Sequence, residues 1–130
     1  MTLGRQRLGQ AAEALAAERL GAAGLRVIER NARVRDPQTG LAGELDLIAE
    51  CPGAIVFVEV KAARAGRRAG PERPALAVGR RKQLQIRRLA RAWLATRPDL
   101  PRFAAVRFDV VGVTYEPGGS AGVEWIRGAF

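Results

Sequence analysis

The chain has 130 residues, of which 22 are Lys or Arg and 13 are Asp or Glu, so its net charge is +9. This length predicts one domain over residues 1–130, and a hydrophobic fraction of 48% is enough for one core. There is no histidine and the one cysteine is Cys51, which excludes histidine-based catalysis, serine-type triads, disulfides and zinc–thiolate clusters.

The positive charge is almost entirely arginine, because Lys61 and Lys82 are the only lysines. Such an excess favours a polyanionic partner, most often nucleic acid. A genome with GC-rich codons would also produce abundant Arg, Ala, Gly and Pro. The first thirty residues lack the apolar stretch of a signal peptide, and no run of the sequence is long enough to span a membrane. We therefore expect a cytoplasmic protein without a membrane partner.

The predicted elements follow the order helix, three strands, helix, two strands. Residues 8–22 are rich in Ala, Leu and Glu and predict the first helix. Apolar residues recur at helical spacing over 78–97 and predict the second helix, which Pro98 ends. Strands are predicted over 25–33, 43–50, 54–62, 106–115 and 123–126. Loops are predicted over 36–40, and over the basic segment 64–74. This order predicts an α/β fold with a central sheet flanked by helices.

Charged residues interrupt the two middle strands, which are otherwise apolar. Alternation places Glu44, Asp46 and Ile48 on one face of the strand over 43–50, and Leu45 and Leu47 on the other. The next strand alternates in the same way between a face with charged residues and a face of valines.

A turn over 51–54 would pair Glu50 with Ile55, and the same register brings Asp46 directly opposite Glu59. Directly opposed Cβ atoms lie roughly 4.5–5.5 Å apart, and two like charges there are destabilising. A proton or a cation between the two carboxylates would relieve their repulsion. A metal ion at this pair would need oxygen ligands, which favours Mg²⁺ or Mn²⁺. A slip of one residue would separate the pair.

Phosphodiester hydrolysis is the reaction class that uses this set of groups. Asp46 and Glu59 would hold a divalent ion together with the backbone carbonyl of Val60. Lys61 would orient the attacking water or stabilise the phosphate, and Glu44, opposite Lys61 in the same register, would support the site. A Glu-x-Lys alone more often forms a surface ion pair. The set is more specific than its parts, because its acidic residues lie in apolar strands.

The second predicted helix opens with a basic run followed by Gln83. The amide of Gln83 could bind a phosphate or a water at the metal, but an ordinary exposed glutamine has the same pattern. Five basic residues of this segment are candidates for nucleic-acid binding: Arg80, Arg81, Lys82, Arg87 and Arg91. A solvated helix face would look the same in the sequence.

Two segments, GELDLIA over 43–49 and VFVEVK over 56–61, resemble the YraN-like family of small bacterial proteins. Shorter matches lie at LGQAAEALA (8–16), RNAR (30–33), AVGRRKQ (77–83), RFDVV (107–111) and the final Ala-Phe. The family is assigned to the PD-(D/E)xK, restriction-endonuclease-like superfamily. The resemblance therefore implies an αβββαβ core with a mixed sheet, and a Mg²⁺-dependent endonuclease that acts on DNA, including branched or damaged DNA.

The family also resembles archaeal Holliday-junction resolvases, in which a glutamate of the first helix joins the Asp and the Glu-x-Lys as a metal ligand. Carried over, that role falls on Glu13, to which spacing alone gives no role. The resemblance also implies that Gln83 supports the site. Restriction-type nucleases often form a homodimer to cut two strands, but nothing in the sequence identifies an interface for one. A non-catalytic nucleic-acid-binding module and a structural or adaptor protein are the alternatives.

Three positions depart from the family pattern. Ala12 stands where a glycine is common, residues 36–42 read as an insertion, and residues 68–70 replace a Phe-Gly pair.

Overall fold

A computed structural model of the chain describes residues 4–66, 73–100 and 102–130. Its elements, in chain order, are helix α1 (Arg5–Ala22), strands β1 (Arg26–Arg35), β2 (Ala42–Cys51) and β3 (Ala54–Arg64), helix α2 (Arg80–Ala95), and strands β4 (Ala105–Tyr115) and β5 (Ala121–Ile126). The predicted order is confirmed, with bounds shifted by a few residues. A short 3₁₀ turn (Pro74–Leu76), which the sequence did not predict, precedes α2. Part of the predicted basic loop over 64–74, including the departure at 68–70, lies outside the described residues.

The five strands form one sheet in the order β1-β2-β3-β4-β5. The β3–β4 pair is parallel and the other neighbouring pairs are antiparallel. A parallel pair needs a crossover connection, and the segment that contains α2 supplies it. The predicted α/β fold with a central mixed sheet flanked by helices is confirmed, and it is consistent with a restriction-endonuclease-like core. Neither helix in the described ranges is long and apolar enough to cross a membrane.

Both faces of the sheet are covered, which explains the near-continuous apolar runs of its central strands. The helix α1 packs on one face through small residues, Ala12 and Ala16, and through Leu20. The helix α2 packs on the other face, where Leu89 and Trp93 are buried among its contacts. Full burial of a side chain such as Leu contributes roughly 1.5–3 kcal/mol, so the two layers fix both helices on the sheet.

The β2–β3 hairpin has the predicted register as far as its ladder extends. Glu50 pairs with Ile55, as predicted, and the pairing continues to Leu47 with Val58, the last pair of the ladder between these fully described strands. At the residue before Leu47, farther from the turn, the carboxylate oxygen Oδ2 of Asp46 accepts a hydrogen bond from the backbone N–H of Val60 at 2.9 Å. A side chain thus takes a backbone donor where the ladder ends.

The prediction that Leu45 and Leu47 share a face of β2 is wrong. Leu45 packs with Ile48 in the core under α2, whereas Leu47 packs with Ala49 in the core under α1. Strict alternation is therefore broken between Leu45 and Leu47, at Asp46. The predicted common face of Glu44, Asp46 and Ile48 therefore does not include Ile48, which packs with Leu45 in the core under α2.

Gly112 of β4 lies directly beneath the 3₁₀ turn. A Cβ atom on Gly112 would lie 2.5 Å from the backbone nitrogen of Ala75. Gly112 also pairs with Lys61 in the parallel β3–β4 ladder. The missing side chain therefore allows the segment before α2 to lie against the sheet beside the charged end of β3.

Replacing Gly112 by alanine should lower the free energy of unfolding by about 1–3 kcal/mol, because a backbone segment must move to admit the methyl group. Gly122 of β5 is the matched control, since a Cβ there has no atom within 4 Å. Gly122→Ala should be neutral or stabilising by up to about 1 kcal/mol. Urea unfolding of both variants measures the difference, and equal midpoints would contradict the close approach.

Candidate metal centre

Three carboxylates meet at the end of β2. Glu13 of α1 and Glu44 and Asp46 of β2 each offer an oxygen, and these oxygens lie within 4.8 Å of one another. Glu13 reaches this position because the neighbouring Ala12 is fully buried against the sheet. Glu13 and Asp46 are half-buried and Glu44 is exposed. This group, the carboxylate cluster, could hold a metal ion.

Glu59 of β3 joins the carboxylate cluster through Asp46. Its side chain is hydrogen-bonded to the Asp46 carboxyl group and is only 7% exposed. Lys61 Nζ lies 3.8 Å from Glu59 Oε1. The predicted set of Asp46, Glu59 and Lys61 is therefore brought together, although Asp46 and Glu59 lie beyond the last ladder pair. Val60, predicted as a carbonyl ligand, contacts Asp46 through its N–H.

Burial and crowding make negative charge costly here. Burial and the charge of Asp46 raise the pKa of Glu59 to about 7. Burial also raises the pKa of Asp46, although the Val60 N–H opposes that rise. In Glu13, burial and then the charge of Asp46 raise the pKa. Such a group of oxygens gains from any positive charge placed among them, whether a shared proton or a divalent cation.

Lys82 belongs electrostatically to this site. Burial raises the pKa values of Asp46 and Glu59, and the positive charge of Lys82 opposes that rise in both groups more than the charge of Lys61 does. Lys82 lies in the first turn of α2. The sequence placed it only in a run of basic residues predicted to bind nucleic acid, because nothing in its spacing relates it to β2 or β3.

Asn31 is a site residue that the sequence analysis missed. It lies in β1 between Arg30, which pairs with Leu47, and Ala32, which pairs with Leu45, and therefore alongside Asp46. Its φ is +52°, the one positive value for a non-glycine residue in the described ranges. Its side chain is hydrogen-bonded to Glu13. An asparagine tolerates this left-handed backbone better than most residues, and an asparagine inside a strand was the available signal.

The remaining predicted residues lie along α2. Gln83 donates a hydrogen bond from Nε2 to the carbonyl of Val78 at 3.0 Å, which ties its side chain to the segment before the helix. The guanidinium of Arg87 lies 4.7 Å from the centre of the Phe108 ring. Four of the five predicted nucleic-acid-binding residues are exposed, and Lys82 is half-buried: the exposed ones are Arg80, Arg81, Arg87 and Arg91. Arg87 differs from the other three exposed arginines in that its guanidinium packs over an aromatic ring.

Residues 12–113 match a family described as "Uncharacterised protein family UPF0102". The chain is similar to a UPF0102 protein of Frankia alni, with 45% identity over 123 residues that cover 95% of this chain and 93% of the relative. It is similar to a UPF0102 protein of Symbiobacterium thermophilum, with 45% identity over 125 residues, 96% of this chain and 97% of the relative. A UPF0102 protein of Streptomyces griseus is 44% identical over 124 residues, 95% of this chain and 96% of the relative. These names state no activity.

The raised pKa of Glu59 predicts a pH-dependent stability in the metal-free protein. The folded state holds the proton up to about pH 7, whereas the ordinary value is 4.5. The resulting stabilisation is complete below pH 4.5 and is lost as the pH rises through 7. Relative to Glu59→Gln, which stays neutral, the wild type should lose about 1–3 kcal/mol of unfolding free energy over this interval.

Urea unfolding in EDTA across this pH range measures the difference between the two proteins. Glu18→Gln, at an exposed position of α1, serves as the control, and its difference from the wild type should vary less with pH. A wild type that gains stability relative to Glu59→Gln as the pH rises would contradict the assignment.

The left-handed backbone of Asn31 predicts that glycine is more stabilising than alanine at this position, the reverse of the usual order in a strand. Asn31→Gly should be more stable than Asn31→Ala by about 1–2 kcal/mol, because alanine carries the Cβ penalty at positive φ. At Arg35, an exposed position of the same strand with ordinary φ, alanine should be the better residue by about 0.5–1 kcal/mol. Thermal unfolding of the four variants measures both pairs, and the same order at both positions would contradict the strained backbone.

Proposed function

The chain belongs to the uncharacterised protein family UPF0102, which is the YraN-like family that its motifs resemble, and we propose that it is a metal-dependent endonuclease. In this proposal it hydrolyses phosphodiester bonds of DNA. The observation that carries the proposal is the carboxylate cluster of Glu13, Glu44 and Asp46, with oxygens within 4.8 Å of one another, and with Glu59 hydrogen-bonded to Asp46.

The donor chemistry of the site fits a hard divalent cation. Glu13, Glu44 and Asp46 would hold the ion, and Glu59 is placed to join them once it releases its proton. Carboxylate oxygens suit Mg²⁺ or Mn²⁺, and the chain has no histidine to favour another metal. When bound, such an ion polarises a phosphodiester oxygen and lowers the pKa of water.

Two ammonium groups would stabilise the negative charge that develops on the phosphate. Lys61 lies 3.8 Å from Glu59 and is 32% exposed, so that it is held by the ion pair and still reaches solvent. Lys82 belongs to α2, which covers the face of the sheet opposite to α1. Its positive charge lowers the pKa of Glu59, as that of Lys61 does. Fixed positive groups aimed at developing charge are among the largest contributions to such reactions.

Other residues would position the ligands rather than touch the substrate. The N–H of Val60 holds the carboxylate of Asp46, and the amide of Asn31 holds the carboxylate of Glu13. Both contacts keep the oxygens turned toward one another despite their repulsion. A ligand set that is fixed before the metal arrives has less ordering entropy to lose on binding.

The net charge of +9 supports a nucleic-acid partner. The preference for DNA, the branched or damaged substrates, the homodimer and the PD-(D/E)xK superfamily are proposed from the motif resemblance, with GELDLIA and VFVEVK as its core.

One observation favours a non-catalytic nucleic-acid-binding module as a second candidate. The carboxyl groups of Asp46 and Glu59 already share a hydrogen bond, and Lys61 and Lys82 already offset their charge. A site neutralised in this way can persist without a metal. Metal binding therefore separates the two candidates.

The endonuclease proposal predicts cleavage of duplex, flap or four-way DNA that requires Mg²⁺ or Mn²⁺. Asp46→Asn should lower the rate of this cleavage by a factor of about 10² or more, since it removes the central negative charge of the ligand set. Asp99→Asn, at an exposed aspartate near the end of α2, is the matched control and should cleave as the wild type does.

Calorimetry with Mn²⁺ on the same three proteins supplies a readout without substrate. Binding should be present in the wild type and in Asp99→Asn and lost in Asp46→Asn. No cleavage of any of these DNAs together with no Asp46-dependent metal binding would exclude the endonuclease and leave the second candidate.

A further inference from the structure

A depression beside the carboxylate cluster is lined by the ends of β1 and β2. It has a volume of about 490 Å³, and its walls include Arg33, Arg35 and Glu44. Arg33 is the cross-strand partner of Glu44, which itself belongs to the carboxylate cluster. The depression therefore begins at the candidate metal centre.

A second depression lies next to the first and shares Arg35 with it. It has a volume of about 500 Å³ and lies between the β1–β2 loop, residues 36–41, and the outer side of α2. Arg35 lines both depressions, and α2 contributes Arg88 and Arg91 to the second. We call the two adjacent depressions, with Arg33, Arg35, Arg88 and Arg91, the arginine groove.

The groove is held open by the backbone around it. The β1–β2 loop is closed by hydrogen bonds from the N–H of Asp36 to the carbonyl of Leu41 at 2.7 Å and from the N–H of Gly40 to the carbonyl of Asp36 at 2.8 Å. On the other wall, a Cβ on Gly43 would lie 2.8 Å from Leu89 Cδ1. The absence of a side chain at Gly43 thus lets α2 lie close to β2, which sets its arginines across from the loop.

The guanidinium groups of the groove are kept available for a ligand. Within the described ranges, no ion pair closer than 4.0 Å engages any of the four. Elsewhere arginines are used internally: Arg107 pairs with Asp109, and Arg127 lies over the Trp125 ring. The groove thus concentrates positive charge that the fold itself does not need.

The one aspartate in the groove is already engaged. The carboxylate of Asp36 accepts hydrogen bonds from the N–H of Gln38 at 3.0 Å and from the hydroxyl of Thr39 at 2.7 Å. These bonds, that of Thr39 foremost, lower the pKa of Asp36, and the charges of Arg88 and Arg91 add a smaller effect. Asp36 therefore shapes the loop, and the groove remains positive.

We propose that the arginine groove binds the sugar–phosphate backbone of a nucleic-acid strand on one side of the carboxylate cluster. This inference rests on the proposed endonuclease function and specifies its substrate: the strand must continue beyond the reacting phosphate toward the β1–β2 loop. A phosphodiester chain fits because it carries one charge per nucleotide, and the groove offers four arginines between the carboxylate cluster and the outer side of α2. A flat anionic membrane fits less well, because the arginines line a concave groove between two elements.

The test compares two double variants that remove the same charge. The groove variant, Arg35→Gln with Arg88→Gln, removes two positive charges from the arginine groove. The control variant, Arg19→Gln with Arg102→Gln, removes two exposed arginines outside it. Binding of a fluorescein-labelled DNA duplex and of its single strand is measured by anisotropy in EDTA, across a series of KCl concentrations. For the groove variant the slope of log K against log salt should fall by roughly 1.4–1.8, since each phosphate contact contributes about 0.7 for a single strand and 0.9 for a duplex.

Equal slopes for the two double variants would overturn the proposed role of the arginine groove. If the wild type nevertheless cleaves DNA with Mn²⁺, the endonuclease proposal stands without the groove. If the slope falls only in the groove variant, and the wild type does not cleave DNA, the groove is supported and the endonuclease proposal is excluded. Binding to anionic phospholipid vesicles, but not to DNA, that depends on Arg35 and Arg88 would also overturn the inference, in favour of a membrane partner.

Discussion

Four carboxyl groups from α1, β2 and β3 meet around Asp46, where the β2–β3 ladder ends, and the one on β3, Glu59, is buried. Several local features of the fold accommodate this concentration of negative charge. Val60 gives its N–H to Asp46 rather than to a backbone partner, Asn31 takes a left-handed backbone beside it, and Glu59 holds a proton up to about pH 7. Each of these arrangements costs stability that ordinary strands would keep. A site maintained at such a cost is typical of a functional centre.

The sequence predicted the fold well where local chemistry determines it. The order of elements followed from helical spacing, apolar runs and turn residues, and the pairing of Glu50 with Ile55 followed from a short turn. The break in alternation at Asp46 was missed, because period 2 assumes a regular pleat on every residue. The 3₁₀ turn over Gly112 was missed too, since a glycine in a strand does not say which segment lies against it.

The site was predictable only in part, because local sequence patterns do not encode how separate elements pack. Asp46, Glu59 and Lys61 lie on neighbouring strands, so a register was enough to bring them together. Lys82 and Asn31 come from elements whose placement depends on how the helices and the edge strand pack, which no local pattern encodes. Glu44 was predicted to face Lys61 as a supporting residue, and its place in the carboxylate cluster was not predicted, because that place depends on where α1 packs. The availability of the groove arginines likewise depends on which carboxylates lie near them in space.

The proposed metal centre depends most directly on a cation among the three carboxylates. Anomalous diffraction from crystals soaked with Mn²⁺ would locate it. We expect a manganese peak in contact with oxygens of Glu13, Glu44 and Asp46, the residues that the structure brings within 4.8 Å, and no peak at that place in Asp46→Asn crystals. A wild-type crystal saturated with Mn²⁺ that shows no peak beside Asp46 would contradict the proposed metal centre.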